Sequence, residues 1–219
     1  MGPDITRSSN KSVSRLELRS VPRESPPSPG QAERARYAPW LRGPLNQLDF
    51  VIDDRPFREL LIELNVTPQM IHGVTDADFL SIADWAWPDE AASSLRQLAG
   101  TEPRDESNWP LDPGRLPLYV CPMCADLGCG ALTVAVTWDA TTDRALWSDF
   151  RVEDGFGDYT DAFDLGALGP FPFDADTYRD TLLEPVGPLD ALAADERAAA
   201  TAYRRTRGLR GAVRRALRR

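Results

Sequence analysis

The sequence contains one lysine and one histidine among its 219 residues, Lys11 and His72. A histidine-rich metal cage and a mechanism that needs two histidines are therefore excluded or nearly so. Because Lys11 lies in a polar N-terminal segment, a phosphate-loop lysine and a Schiff-base lysine are excluded in the same way. The chain thus lacks most of the side chains on which familiar active sites depend.

Other absences narrow the class of protein. The chain has no Gly-x-Gly-x-x-Gly loop for a nicotinamide or flavin cofactor and no Gly-x-Ser-x-Gly elbow of a serine hydrolase. No run approaches the roughly 18 consecutive apolar residues of a membrane span, and the N-terminus has no apolar stretch resembling a secretory signal. These features predict a cytoplasmic protein without a transmembrane segment, and they favour a non-enzymatic role over an enzyme.

Charge is distributed unevenly along the chain. The sequence holds 25 Lys and Arg against 34 Asp and Glu, a formal net charge of -9. Residues 1–45 carry +4, residues 46–196 carry -22 and residues 197–219 carry +9. This asymmetry predicts an acidic body between two basic ends, which can attract a basic partner or draw the ends back onto the body.

Composition divides the chain into three segments. Residues 1–45 are rich in Ser, Pro and Arg without a sustained apolar period, which predicts a disordered arm. Residues 46–184 are predicted to form one α+β domain. Residues 185–219 are predicted to form a helical, Ala- and Arg-rich basic extension, which Gly208 is expected to interrupt.

The predicted fold class depends on an antiparallel β-meander packed against a few helices. Segments 116–122, 130–138 and 145–152 are rich in β-branched and aromatic residues and are separated by Gly, Asp and Thr clusters. Their connections are too short for parallel crossovers. A further strand with one buried face is predicted from Leu48, with a turn at residues 53–56.

Helices are predicted on either side of the meander. Pro56 can begin a helix, and Pro88 with the acidic residues after it can begin another that stops at Gly100. Asp174 can cap a third helix. Residues 76–87 are also predicted to be helical.

All three cysteines lie in the string CPMCADLGCG, as Cys121, Cys124 and Cys129. In one interpretation they bind zinc through three thiolates, with Asp126 or His72 as the fourth ligand. A second Cys-x-x-Cys pair, which would make a zinc site specific, is absent from the sequence. Zinc is therefore the one cofactor that the sequence suggests, and only through this cluster.

Two other interpretations of the cysteines stay open. A Cys-x-x-Cys pair can be a redox dithiol, but such pairs usually begin a helix whose N-terminus lowers the thiol pKa, and here a strand follows instead. Alternatively the cysteines are small buried side chains in a turn between core strands. The structural interpretation is the one we favour.

Two charged segments are the remaining candidates for a functional site. The carboxylates from Asp149 to Asp164 are interpreted as solvent-exposed side chains of an acidic loop. At the C-terminus, Leu209, Val213 and Leu217 recur every four residues among arginines, which predicts a basic amphipathic helix. Such a helix can contact nucleic acid or an anionic membrane, although a flexible tail or one docked on the acidic body is favoured because that body repels phosphate.

The segments LDFVIDDRPFRELL, LYVCPMCADLGCGALTVAV, ALWSDF and FPFDADTYRDTL carry a family resemblance. The chain resembles, over roughly residues 48–184, an uncharacterised actinobacterial protein family with a CPxCxDLGCG-type motif. That family has no assigned activity, and some members bear only automatic names such as oxidoreductase. Its most specific element is Asp126 to Gly130, and it implies no catalytic or binding residue.

Two functional hypotheses follow from the sequence. The first is a non-enzymatic cytoplasmic interaction protein, immunity-like or regulatory, that binds a basic protein through an acidic surface. The second is a cysteine-centred zinc-binding or thiol-redox protein that uses Cys121, Cys124 and Cys129.

Overall fold

The computed structural model describes residues 12–22, 46–66, 80–84, 88–104, 111–121, 126–153 and 165–216. In these ranges the chain forms eight strands and four α-helices. In chain order they are β1 (Leu16–Pro22), β2 (Asn46–Ile52), β3 (Arg55–Pro56), α1 (Phe57–Glu63), β4 (Leu80–Ser81), α2 (Pro88–Leu98), β5 (Arg115–Val120), β6 (Ala131–Asp139), β7 (Arg144–Glu153), β8 (Phe171–Asp174), α3 (Ala175–Leu183) and α4 (Val186–Ala216).

The strands form two antiparallel sheets. The first has the order β1-β2-β3, and the second has the order β4-β5-β6-β7-β8. Neighbouring strands in each sheet follow one another along the chain, which is the pattern of a meander. The predicted α+β fold class and the antiparallel meander are therefore confirmed.

Local sequence signals place several of the helices and turns. Asp53 and Asp54 both have positive φ (50° and 68°) and form the two-residue turn between β2 and β3, a conformation that Asp tolerates better than most residues. Pro56 precedes α1 and Pro88 begins α2, as predicted. The side chain of Asp174 accepts a hydrogen bond from the Thr177 N–H (2.9 Å), which caps α3.

Aromatic side chains join the two sheets in one core. Trp147 of β7 is fully buried, with ring centroids 5.4 Å from Phe50 of β2 and 6.1 Å from Phe57 of α1. Its indole Nε1 donates to the Tyr178 hydroxyl (2.8 Å), which in turn donates to the Leu98 carbonyl (3.0 Å). This chain of contacts links both sheets to α3 and α2.

The structure corrects the prediction for part of the N-terminal arm. Residues Leu16–Pro22 form β1 and pair with β2 along its whole length. Leu16 is buried, and the backbone N–H of Ser14 donates to the carbonyl of Pro172 in β8 (2.7 Å). The strand exists because β2 offers it a partner, which local composition did not reveal. Residues 1–11 and 23–45 of the predicted arm lie outside the described residues.

Two further predictions differ from the structure. Within the segment 76–87, Leu80 and Ser81 form β4 opposite Val120 and Tyr119, and residues 82–84 make one 3-10 turn, so the predicted helix is wrong there. Helix α4 also continues through Gly208 to its end, so Gly208 does not interrupt it. At Leu80 and Ser81, pairing with a neighbouring strand overrides the local preference for a helix. At Gly208, neighbouring helix formers override the low helix propensity of glycine.

The first turns of α4 pack on the domain. Val186 and Ala193 are buried, Arg96 of α2 pairs with Asp190, and Arg197 lies 3.5 Å from Asp89. The predicted extension from residue 185 therefore begins as part of the core. Among the helices of the described ranges, none combines the length and apolar character that a bilayer crossing requires.

Candidate functional site

The cysteine string connects β5 to β6. Cys121 directly follows β5 and is buried, whereas Cys129 ends a 3-10 turn (Leu127–Cys129) and is exposed. Asp126 caps this turn, since its Oδ1 accepts the N–H of Gly128 at 2.8 Å. Cys124 and His72, the other predicted ligands, lie outside the described residues.

The geometry of the described part of this string does not select one chemistry. In the ranges that the structure describes, no three His, Cys, Asp or Glu side chains converge on a possible metal position. The turn before β6 has three residues, unlike the long helix that follows a thioredoxin-type dithiol. The zinc, redox and structural interpretations therefore stay predictions.

A set of mostly buried polar and charged side chains lies on the meander. We call this set the Arg115 cluster, and its members are Arg115, Thr133, Asp149 and Glu153. The Arg115 Nε donates to Thr133 Oγ1 (2.9 Å) and lies 3.0 Å from Glu153 Oε1. Its Nη1 donates to Asp149 Oδ2 at 2.8 Å. Arg115, Thr133 and Glu153 are all buried. Because they belong to β5, β6 and β7, three strands meet at one guanidinium.

An irregularity in β7 brings Asp149 to this cluster. The β6–β7 register runs from Thr133 opposite Arg151 to Ala135 opposite Ser148, so β7 carries an extra residue there. Asp149 has a positive φ of 50° at that bulge. The bulge turns both its carboxylate and its carbonyl toward Arg115, and each accepts a hydrogen bond from the guanidinium.

Burial sets the electrostatics of the Arg115 cluster. Desolvation raises the pKa of Glu153, although hydrogen bonding from Thr133 and the charge of Arg115 oppose that shift. Desolvation also lowers the pKa of Arg115, against the attraction of Glu153 and Asp149. Glu153 was predicted to be a solvent-exposed side chain of an acidic loop, and that interpretation is wrong because it is buried in β7; Asp149 is exposed, as interpreted, but lies in β7 and not in a loop.

A second buried group joins the two sheets, the Asp49 cluster of Asp49, Arg58 and Tyr119. Asp49 Oδ1 accepts from the Tyr119 hydroxyl (2.5 Å) and from the Phe50 N–H (2.8 Å). Arg58 Nε lies 3.7 Å from Asp49 Oδ2. All three residues are buried. The strand predicted from Leu48, which is β2, was expected to bury one face. Both of its faces are covered, because the buried, hydrogen-bonded carboxylate of Asp49 lies on the second face.

Sequence reasoning missed both buried clusters. Their members are far apart in the chain and look like ordinary polar residues of alternating strands. One available signal was the small-residue face of β6, where Thr133 lies between Ala131 and Ala135. Such a face leaves room for a long side chain from a neighbouring strand, and Arg115 occupies it.

Exposed carboxylates gather where β6, β7 and β8 meet α3. Strand register pairs Asp139 with Arg144 and Arg144 with Asp174, and the Ala175 N–H donates to the Asp143 carbonyl (3.1 Å). Asp176 and Asp180 follow on α3, one helical turn apart. We call this surface the acidic end, and its members are all exposed: Asp139, Asp143, Asp174, Asp176 and Asp180.

Hydrogen bonds lower the pKa of two carboxylates of the acidic end. Hydrogen bonds from Thr141 and Thr142 lower the pKa of Asp139 to about 2. Hydrogen bonds from Thr177 lower the pKa of Asp174 in the same way. Their negative charge is therefore fixed by the local turn and helix cap, not only by solvent exposure.

An aromatic side chain borders the acidic end. Trp138 of β6 is 37% exposed, and its ring packs edge-on to Tyr178 (centroids 5.5 Å apart). The guanidinium of Arg179 lies 4.4 Å above the Trp138 ring and 3.4 Å from Asp176. A Cβ on Gly100 (φ 69°) would lie 2.9 Å from this ring, so glycine is required for the close approach.

Internal contacts occupy most of the arginines of the acidic body. Residues 46–196 contain eight arginines, all among the described residues. Seven of them pair with a carboxylate or donate to a backbone carbonyl: Arg55, Arg58, Arg96, Arg104, Arg115, Arg151 and Arg179. The eighth, Arg144, lies between Asp139 and Asp174 in the strand register, and Arg179 pairs with Asp176, so two arginines face the five carboxylates of the acidic end.

No protein-family model, curated protein or solved structure matches the chain. A functional assignment therefore depends on the geometry and charge of the described residues.

Proposed function

We propose that the protein is a non-enzymatic, cytoplasmic interaction protein, immunity-like or regulatory, whose acidic end binds a basic protein. One observation carries this proposal: five exposed carboxylates share one end of the sheet and outnumber the two arginines there, Arg144 and Arg179, while the other six arginines of the body are engaged elsewhere. A surface of one charge sign attracts an oppositely charged partner, speeds its encounter and repels wrong partners.

The two buried clusters support a binding role over catalysis. In them Arg115 donates to Thr133 and Asp149 on neighbouring strands, and Tyr119 donates to Asp49 of the other sheet, so these contacts serve to fix the sheets. A rigid scaffold in turn holds the acidic end in one arrangement, which lowers the entropic cost of association. Trp138 beside the carboxylates supplies an amphipathic aromatic group of the kind enriched at interfaces.

The proposal predicts a charge-specific loss of binding. In D143N/D176N/D180N three charges of the acidic end are removed, while the capping residues Asp139 and Asp174 stay. Asn also tolerates the positive φ of Asp143 (51°), so the fold should persist. We expect partner capture from a lysate of the source cells to weaken about tenfold at low salt.

The matched control removes the same net charge elsewhere. E59Q/D126N/D195N changes three exposed carboxylates that lie outside the acidic end. Partners are identified by mass spectrometry after capture on immobilised full-length chain, over a salt series. Equal loss in both triple variants, or capture that is indifferent to salt, would contradict the proposal.

A second candidate is a cysteine-centred zinc-binding or thiol-redox function. It is favoured by Cys121 and Cys129 lying at the two ends of one short connection. Anaerobically purified protein should then contain stoichiometric zinc, or two of its thiols should react rapidly and reversibly with oxidised glutathione. Metal-free protein with three slowly reacting thiols would end this hypothesis, and a C121S/C124S variant serves as the control.

A further inference from the structure

A cavity of about 410 Å³ lies beside the start of β8. It lies between the residues before β1, the β2–β3 turn, α1 and the segment leading into β8. This volume is within the range of small-molecule sites, about 300–1,000 Å³. None of the five acidic-end residues lines it.

The cavity combines apolar walls with negative charge. Leu60, Leu64 and Phe171 supply apolar surface, and Asp53 and Glu63 supply carboxylates. Among the described residues that line it, there is no lysine, arginine or histidine. The lining therefore complements a molecule that has an apolar body and a positive group.

Backbone contacts fix the walls in position. The Asp53 N–H donates to the Arg15 carbonyl (3.0 Å), and the Arg15 N–H donates to Asp53 Oδ1 (2.8 Å), so the backbone of Asp53 and its carboxylate are each bonded to the backbone of Arg15. Gly169 has a φ of 81°, and a Cβ there would lie 3.1 Å from Phe150 and 3.2 Å from Phe171. Both sides of the cavity are thus tightly packed before any ligand arrives.

The second carboxylate, Glu63, forms an ion pair that a ligand can displace. Glu63 pairs with Arg55 Nη2 at 2.6 Å, and both side chains are largely exposed. Exposed ion pairs of this kind contribute little to stability. A cation inside the cavity can therefore replace Arg55 or share Glu63 with it at little cost.

We propose that this cavity binds a small organic cation, an amine or guanidine carried on a hydrophobic body. The hydrophobic body contacts Leu60, Leu64 and Phe171, and the cation lies between Asp53 and Glu63. This site is separate from the acidic end, so the proposal stands whether or not the acidic end binds a basic protein.

The test compares three probes with the same phenyl body: 2-phenylethylamine, 2-phenylethanol and 3-phenylpropanoate. Each is titrated into ¹⁵N-labelled full-length chain, and the amide shifts of Ser14 and Gly169 report occupancy. We expect the amine to bind at least about tenfold more tightly than the alcohol, and the carboxylate to bind most weakly. In D53N/E63Q the preference for the amine should fall at least about fivefold. Asn suits the positive φ of Asp53, so this variant should fold.

Glu59→Gln is the matched control, because Glu59 is an exposed carboxylate on α1 that does not line the cavity. It should leave the amine preference unchanged. Equal binding of amine and alcohol would overturn the proposal, as would full amine binding by folded D53N/E63Q. Shifts caused by an arginine-centred peptide but by none of the free amines would also overturn it, since the site would then recognise a protein segment.

Discussion

Replacing Asp49 by alanine is expected to destabilise the folded protein by about 3–5 kcal/mol. Asp49 is fully buried between the sheets, and its carboxylate accepts hydrogen bonds from Tyr119 and from the Phe50 backbone. Removing it leaves the Arg58 guanidinium, otherwise 3.7 Å away, buried without this counter-charge. Small domains are typically stable by only about 5–15 kcal/mol, so the loss is a large fraction of the total.

Urea unfolding at pH 7 measures this loss directly, with the slope of the transition checked against the unchanged protein. Tyr119→Phe should cost less, about 1–2 kcal/mol, because it removes one hydrogen-bond donor and no charge. Asp180→Ala is the control for removing a carboxylate from an exposed position, and its effect should be within about 0.5 kcal/mol. A cost below about 1 kcal/mol for Asp49→Ala would show that Asp49 does not neutralise Arg58.

The contrast between Asp49 and Asp180 shows where sequence reasoning stops. From the sequence, Asp49 occupies the polar position of an alternating strand and looks like a solvent-facing residue. In the fold it faces Tyr119, which is far away in the chain and lies in the other sheet. Alternation predicts that a strand exists, but only the packing of a second layer decides whether its polar face meets water.

Elements with local signals were predictable. The meander strands, the start of α2 at Pro88 and the capping of α3 by Asp174 depend on residues next to each other in sequence. Strand β1 was missed because its partner β2 lies beyond an intervening segment, and β4 was missed because Tyr119 and Val120 supply its pairing. Non-local hydrogen bonding therefore marks the limit of pattern reasoning here.

The candidate sites also have some features that the sequence predicted and others that depend on non-local contacts. Net charge by segment predicted an acidic body, but not that β-register and a helix cap would gather five exposed carboxylates at one end. Cysteine spacing identified the connection between β5 and β6, yet spacing does not distinguish a ligand from a packed side chain. The cavity beside α1 involves residues from four separate segments and had no signal in the sequence.

Arg115→Met is expected to destabilise the protein by about 3–5 kcal/mol at pH 7.5, because it leaves Glu153 buried beside an apolar side chain. Burial already raises the pKa of Glu153 above its ordinary value, and Arg115 is one of the groups that oppose that rise. Without Arg115 the pKa of Glu153 should rise further. The folded variant then prefers the protonated carboxyl more strongly than the unfolded chain does.

The sign of the resulting pH dependence follows from linkage. A carboxyl whose pKa is raised on folding contributes stability that is present below its unfolded pKa and is lost as pH rises through its folded pKa. The cost of Arg115→Met should therefore be largest at pH 7.5 and should shrink toward pH 5. Glu153→Gln supplies a permanently neutral side chain, so R115M/E153Q should be more stable than R115M at pH 7.5 and should lose most of the pH dependence.

Arg151→Met is the matched control, since Arg151 contacts Asp149 in the same cluster but is 40% exposed. Its cost should stay near 1 kcal/mol or less and should vary little with pH. Unfolding of the four proteins between pH 5 and 8 distinguishes the two explanations of an Arg115 effect. If Arg115 acts only by filling space, R115M will cost the same at every pH and Glu153→Gln will add to the damage. If it neutralises a buried carboxylate that ties β7 to β5, adding Glu153→Gln will restore stability at the pH where the single variant is weakest.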